Sequence, residues 1–207
     1  MHISEQLLIT KLKNKTSGIL DENNSRKSAV FLPLLLIENE WSLLFEVRAR
    51  HMNSQPGEIC FPGGMIDHND PSEGEAAIRE LCEETGVHRS DVTPLGALDR
   101  LVTPFQQIIY PFTGFIKEGA SFSPNPAEVE TLFTVPVRFF IQTIPERHDI
   151  QMKVEISDTF PYEKIPGGKN YPWRGGTIPE FFYEYEGYII WGLTARIVRH
   201  FVQLVKN

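Results

Sequence analysis

Between Ser72 and Gly86 the chain reads SEGEAAIRELCEETG, and no other stretch restricts its fold as tightly. Ser72 and Glu75 fit the S-x-x-E capping box, which places a helix start just after Pro71, and Gly86 supplies the stop. At about 100° per residue, Ala77, Ile78, Leu81 and Cys82 share one face, Glu80 and Glu83 take the other, and Glu84 lies at the border. One face packs and the other presents carboxylates. That second face opposes helix stability: Glu80 and Glu84 repel at i,i+4 by about 0.2–0.5 kcal/mol. Anions near a helix C-terminus also oppose the macrodipole, by about 0.3–1 kcal/mol each. A hard divalent cation, which takes oxygen ligands and bridges to phosphates, would offset both. A solvated acidic face tied down by Arg79 is the competing explanation. Ala76, small and on the carboxylate side, leaves room for a ligand. Phe61-Pro62-Gly63-Gly64 just before the helix brings backbone close to it, adding carbonyl and amide groups to the same place.

With 207 residues the chain suits one domain over 1–207, with an N-terminal helix and linker over 1–28 and a loop insertion over 157–179. Ile3, Leu7, Leu8 and Leu12 recur at helical spacing. Ala29–Ile37 and Trp41–Val47 are apolar, strand-length runs around Glu-Asn-Glu, a hairpin signal in which Pro33 favours an edge or a bulge. GEICF, VTPLGAL, IIYPFTGFI and MKVEI are further strand candidates. The proline-, glycine- and aromatic-rich segment from Ser157 to Pro179 reads as an ordered loop. The final YIIWGLTARIVRHFVQLV, with Leu193, Ile197, Phe201 and Leu204 in phase, reads as a helix docked on the sheet, and its Arg196, Arg199 and His200 argue against a membrane span.

A net charge of −7 excludes unaided binding to nucleic acid or an anionic membrane, and an anionic substrate would need a metal ion or a local basic cluster. Cys60 and Cys82 are too few for a disulfide framework or a four-ligand zinc site and are expected as buried thiols. The N-terminal segment lacks the apolar core of a secretory signal, so the expected location is cytoplasmic.

Arg79-Glu80-Leu81-Cys82-Glu83-Glu84-Thr85-Gly86-Val87 resembles the second half of the Nudix box, R-E-U-x-E-E-x-G-U with U a bulky apolar residue. The first half departs from it. Pro71 stands where glutamate is expected, the spacing from Gly64 to Arg79 is one residue longer than usual, and Asp70 is the nearest acidic substitute. Gly63–Asp70 is similar to the longer GG-x-x-D-x-x-D loop of the coenzyme A diphosphatase branch. Leu44, Arg48, Gly57 and Phe61–Gly64 match that branch's upstream signature, as Ile190–Ala195 resembles its end segment. Glu46, Ala49 and Asn53 stand where the signature has threonine, serine and arginine.

The resemblance implies an α/β fold of the α+β type: a Nudix-like α/β/α sandwich with a mixed β-sheet between helices. It implies Mg2+ or Mn2+ bound by Glu80, Glu83 and Glu84, with the Gly64 carbonyl as a candidate further ligand, and Arg79 orienting one of those glutamates rather than touching substrate. The general base is Glu80 or Glu128. Arg48, Arg50 and His51 form the densest basic cluster near the box and are candidates for phosphate binding, while Trp173 and Arg174 either meet the nucleotide or anchor their own loop. The implied reaction is hydrolysis of the diphosphate of coenzyme A or an acyl derivative, giving adenosine 3',5'-bisphosphate and 4'-phosphopantetheine. ADP-ribose or another nucleoside diphosphate derivative is the alternative substrate, and a non-catalytic nucleotide sensor the third reading. The expected partner is the small-molecule substrate, without nucleic acid or membrane, and oligomeric state is left open, a homodimer being one option.

Overall fold

The apolar runs flanking Glu38-Asn39 form the expected hairpin, β1 (Arg26–Ile37) and β2 (Glu40–Arg48), after a short helix α1 (Glu5–Leu12). Glu38 and Asn39 both have positive φ, 49° and 64°, the backbone of a two-residue turn whose twist suits the flanking strands. The computed structural model describes residues 3–206, so residues 1, 2 and 207 of the single-domain expectation lie outside the described residues. Along the chain follow β3 (Ile59–Cys60), β4 (Gly63–Met65), α2 (Glu73–Thr85), β5 (Val92–Ala97), β6 (Leu101–Thr103), β7 (Gln107–Ile116), β8 (Val129–Pro136) and α3 (Val137–Gln142). A second group closes the chain: β9 (Glu146–Met152), β10 (Gly176–Tyr185), β11 (Tyr188–Trp191) and α4 (Gly192–Lys206).

The main sheet has eight strands in the order β3-β2-β1-β7-β5, with β4 added to β1, β6 to β7 and β8 to β2. β1 and β7 run parallel from Arg26↔Gln107 to Leu34↔Phe115, and the other pairs are antiparallel, which makes the sheet mixed. One face carries Ala29, Phe31, Ile108 and Tyr110 against Ala76, Ala77, Ile78 and Leu81 of α2. The other carries Leu32, Leu34, Leu43 and Phe45 against Phe140 of α3 and Ala195, Val198 and Phe201 of α4. The result is the expected α/β/α sandwich, with β9, β10 and β11 as a separate three-stranded sheet.

Local readings needed correction where tertiary pairing overrode them. Pro33 lies in a central strand, not at an edge, and pairs Gly114 of β7. On its other side β1 changes partner from β4, which ends at Val30, to β2, which begins at Leu34. The N–H of Phe31 faces that side, donating to Pro62 O at 2.9 Å, so by strand alternation the missing N–H of Pro33 falls in the gap. MKVEI is strand only at Met152, because β9 is the stretch before it, which pairs with β10. YIIW is β11, hairpinned to β10 through Glu186-Gly187, both of positive φ, so helix α4 starts only at Gly192 and its Leu204 stays exposed. Ala76 is fully buried against the sheet, leaving no room for a ligand there. Cys60 and Cys82 are half-buried. The N-terminal helix forms, capped by Ser4, yet none of its residues is buried.

Candidate active site

Helix α2 begins as expected at Ser72, whose Oγ accepts from Glu75 N at 3.2 Å. The reciprocal half of the capping box is replaced, since the Glu75 carboxylate accepts from Arg89 Nη2 at 3.1 Å. The helix stops at Gly86 with φ 71°, where a Cβ would strike the carbonyl of Ser123. That close approach matters, because the returning chain satisfies the last helix carbonyls: Ser123 N donates to Thr85 O and Asn125 N to Glu84 O, both at 2.9 Å. The same loop carries Glu128 to the acidic end of the helix, where Asn125 Nδ2 donates to its Oε2 at 3.0 Å.

From the other side, β4 pairs with β1 and lays Gly63 and Gly64 along α2. Gly63 N donates to Glu84 Oε2 at 2.7 Å. A Cβ on Gly64 would lie 2.5 Å from Glu80 Oε1, so the glycine is what lets the strand reach that carboxylate. Arg79 binds the remaining acids. Its Nε and Nη2 donate to the two Asp70 oxygens at 2.9 and 3.0 Å, and Nη1 donates to Glu80 Oε1 at 2.9 Å and Glu83 Oε2 at 3.0 Å. Asp70 thus anchors the arginine, and the guanidinium holds its carboxyl below the usual range.

Glu46 is the member that sequence reasoning passed over. It lies on β2 opposite Cys60 of β3, is fully buried, and accepts from Cys60 Sγ at 3.2 Å through Oε1. Its Oε2 has no partner among the described residues. Burial pushes the Glu46 carboxyl up to about 7, with Glu128 and Glu80 adding repulsion against the pull of Arg48. Burial first, and the charge of Glu46 next, push Glu84 up to about 9. Burial also raises Glu80, against the opposing pull of Arg79. Glu46, Glu80, Glu84 and Glu128 therefore share one acidic focus. The sequence signals were a carboxylate inside the apolar run LLFEV and its place where the resembled signature has threonine.

These are hard oxygen donors short of positive charge, a set that fits a divalent cation. Among the described residues no three His, Cys, Asp or Glu side chains are grouped closely enough to hold a metal ion; Arg79 Nη1 binds Glu80 and Glu83 together, and the Gly63 amide binds Glu84. Beside the acidic focus a cavity of about 520 Å3 is bounded by Arg48, Gly63, Gly64, Trp191 and Arg196, a volume suited to a small-molecule ligand. Of the expected basic trio, Arg48 lines it. Arg50 pairs with Glu130 at 3.1 Å on the surface, and the His51 ring meets Ala127 O at 3.1 Å. Trp173 packs within its own loop, 4.8 Å from Tyr171 and 5.5 Å from Phe160 between ring centroids.

Residues 26–152 match the NUDIX domain family. The chain is 30% identical over 184 residues to the Nudix hydrolase NudL of Photorhabdus laumondii, covering 89% of this chain and 87% of that one. It is 32% identical over 157 residues to the peroxisomal coenzyme A diphosphatase NUDT7 of Mus musculus, covering 74% of this chain and 66% of the relative. A MutT/nudix family protein from Enterococcus faecalis shares the fold with a TM-score of 0.51 at 14% identity, over 99% of this chain and 71% of that one.

Proposed function

This chain belongs to the Nudix hydrolase family, whose members act on pyrophosphate bonds, and we propose that its substrate is coenzyme A or an acyl derivative, cleaved with Mg2+ or Mn2+. The observation that carries the reading is the convergence of α2 carboxylates on the Gly63-Gly64 strand, whose two glycines also line a ligand-sized cavity. The loop GGMIDHND and the 32% identity to a coenzyme A diphosphatase support the choice of substrate.

In this reading Glu80, Glu83 and Glu84 hold the cations, with the Gly64 carbonyl beside them. A bound divalent ion supplies charge neutralisation for the diphosphate and acidifies a water molecule. Glu128 accepts the proton of the attacking water. Its partner is the neutral Asn125 amide, whereas Glu80 is already engaged by the Arg79 ion pair and, in this reading, by the cation. Arg48 meets a substrate phosphate from the cavity wall, and the cavity takes the remainder of the molecule. The products are adenosine 3',5'-bisphosphate and 4'-phosphopantetheine.

Purified protein incubated with Mg2+ or Mn2+ and, separately, coenzyme A, ADP-ribose, dinucleoside polyphosphates and nucleotide sugars tests this, with products identified by mass. Coenzyme A is expected to be the preferred substrate. Preference for ADP-ribose would overturn the substrate assignment, and cleavage of none would favour a nucleotide-sensing role. Wild-type turnover in Glu83→Gln would overturn the metal role, and in Glu128→Gln the base role.

A further inference from the structure

We propose that Glu46 is an additional ligand for divalent cation in this chain, a carboxylate supplied by the sheet to a site otherwise built on the helix. The proposal rests on reading α2 as a cation-binding helix. Leu43, Phe45 and Val47 of β2 all pack in the core on the α4 side, so strand alternation turns Glu46 to the opposite face, toward α2. There it lies beside Cys60, two residues before the Pro62-Gly63 bend that binds Glu84.

Glu46 is fully buried with one oxygen on a weak thiol donor and the other on nothing among the described residues. A carboxylate has about four lone-pair sites to satisfy, and one thiol does not meet them. Protonation leaves the problem in place, because Oε2 lacks an acceptor as well as a donor. A buried carboxylate is tolerated when it is paired or coordinates a metal. The charged neighbours of Glu46 are Glu80, Glu84 and Glu128, against which Arg48 stands as the one cation beside it among the described residues, so the local charge balance calls for a cation. Oxygen donors alone select a hard ion such as Mg2+ or Mn2+.

The test is Mn2+ binding, read by electron paramagnetic resonance and calorimetry on wild type, Glu46→Gln, Glu46→Thr and, as reference, Glu83→Gln. Melting in EDTA is measured beside it. Both Glu46 variants are expected to fold and to melt no lower than wild type in EDTA, yet to lose one Mn2+ or bind it at least about tenfold more weakly. Wild-type Mn2+ affinity and stoichiometry in both, with binding lost in Glu83→Gln, would overturn the role of Glu46 and leave the helix site standing. No Mn2+ binding by wild type, or no change in any variant, would overturn the helix site too. Unfolding of both Glu46 variants in EDTA would identify a structural bond and also overturn the proposal.

Discussion

Arg79 places its guanidinium on Asp70, Glu80, Glu83 and the Met65 carbonyl, so its donors serve protein groups. Such an arginine acts through the acids it aims, and its planar fork is what allows it to hold several at once. Lysine offers a point charge and cannot reproduce that geometry. Arg79→Lys is therefore expected to lower turnover by about 10–100-fold and to weaken Mn2+ binding in parallel, the scale seen when an outer partner of a metal ligand is lost. Full activity with unchanged Mn2+ affinity would remove Arg79 from the site. The Arg79–Glu83 contact was legible in the sequence, because i,i+4 spacing on one helix settles that encounter. Glu46 was not legible: its partner Cys60 and its charged neighbour Glu84 are brought to it by strand register and helix docking.

At the level of elements, the two glycines of β4 separate stability from catalysis. A Cβ on Gly63 would sit 2.5 Å from Ala29 O and 2.7 Å from Val30 Cα, backbone that cannot yield without parting β4 from β1. Gly63→Ala is expected to destabilise the fold by roughly 1–3 kcal/mol. A Cβ on Gly64 meets the Glu80 carboxylate, the end of a flexible side chain. Gly64→Ala should accordingly keep its melting temperature near wild type and lose turnover through displaced Glu80. Thermal melts and turnover measured on the pair check this, and an unstable Gly64→Ala with normal specific activity would refute it. Helix α2 and the β1–β2 hairpin could be read from sequence because caps, turns and periodicity are local. Strands β8, β10 and β11 were missed or merged into neighbours. FFYEY and YIIW suit strand or helix until a partner strand exists, and the hairpin turn Glu186-Gly187 was the signal that could have parted them.

For the whole molecule, the acidic focus is expected to make stability depend on pH and, through the proposed cation site, on metal. Glu46 and Glu84 hold their protons more tightly in the folded chain, to about 7 and about 9, than the ordinary 4.5 of an unfolded one. Their contribution to stability is full below about pH 4.5 and is lost as pH rises through those values. In EDTA the melting temperature should fall between about pH 6 and pH 9, and saturating Mg2+ or Mn2+ should flatten that decline by binding the deprotonated site. Melting curves across that range with and without metal measure it; a slope that metal leaves untouched would contradict a cation site. The sequence by itself determined the capped helix, its glutamates and the glycines before it, because each follows from spacing along a few consecutive residues. Tertiary structure alone decided that Ala76 is buried, that Arg48 reaches the cavity while Arg50 pairs with Glu130, and that Glu46 joins the acids. Those outcomes depend on which strands pair and in what register, and a one-residue slip would turn each strand side chain to the opposite face.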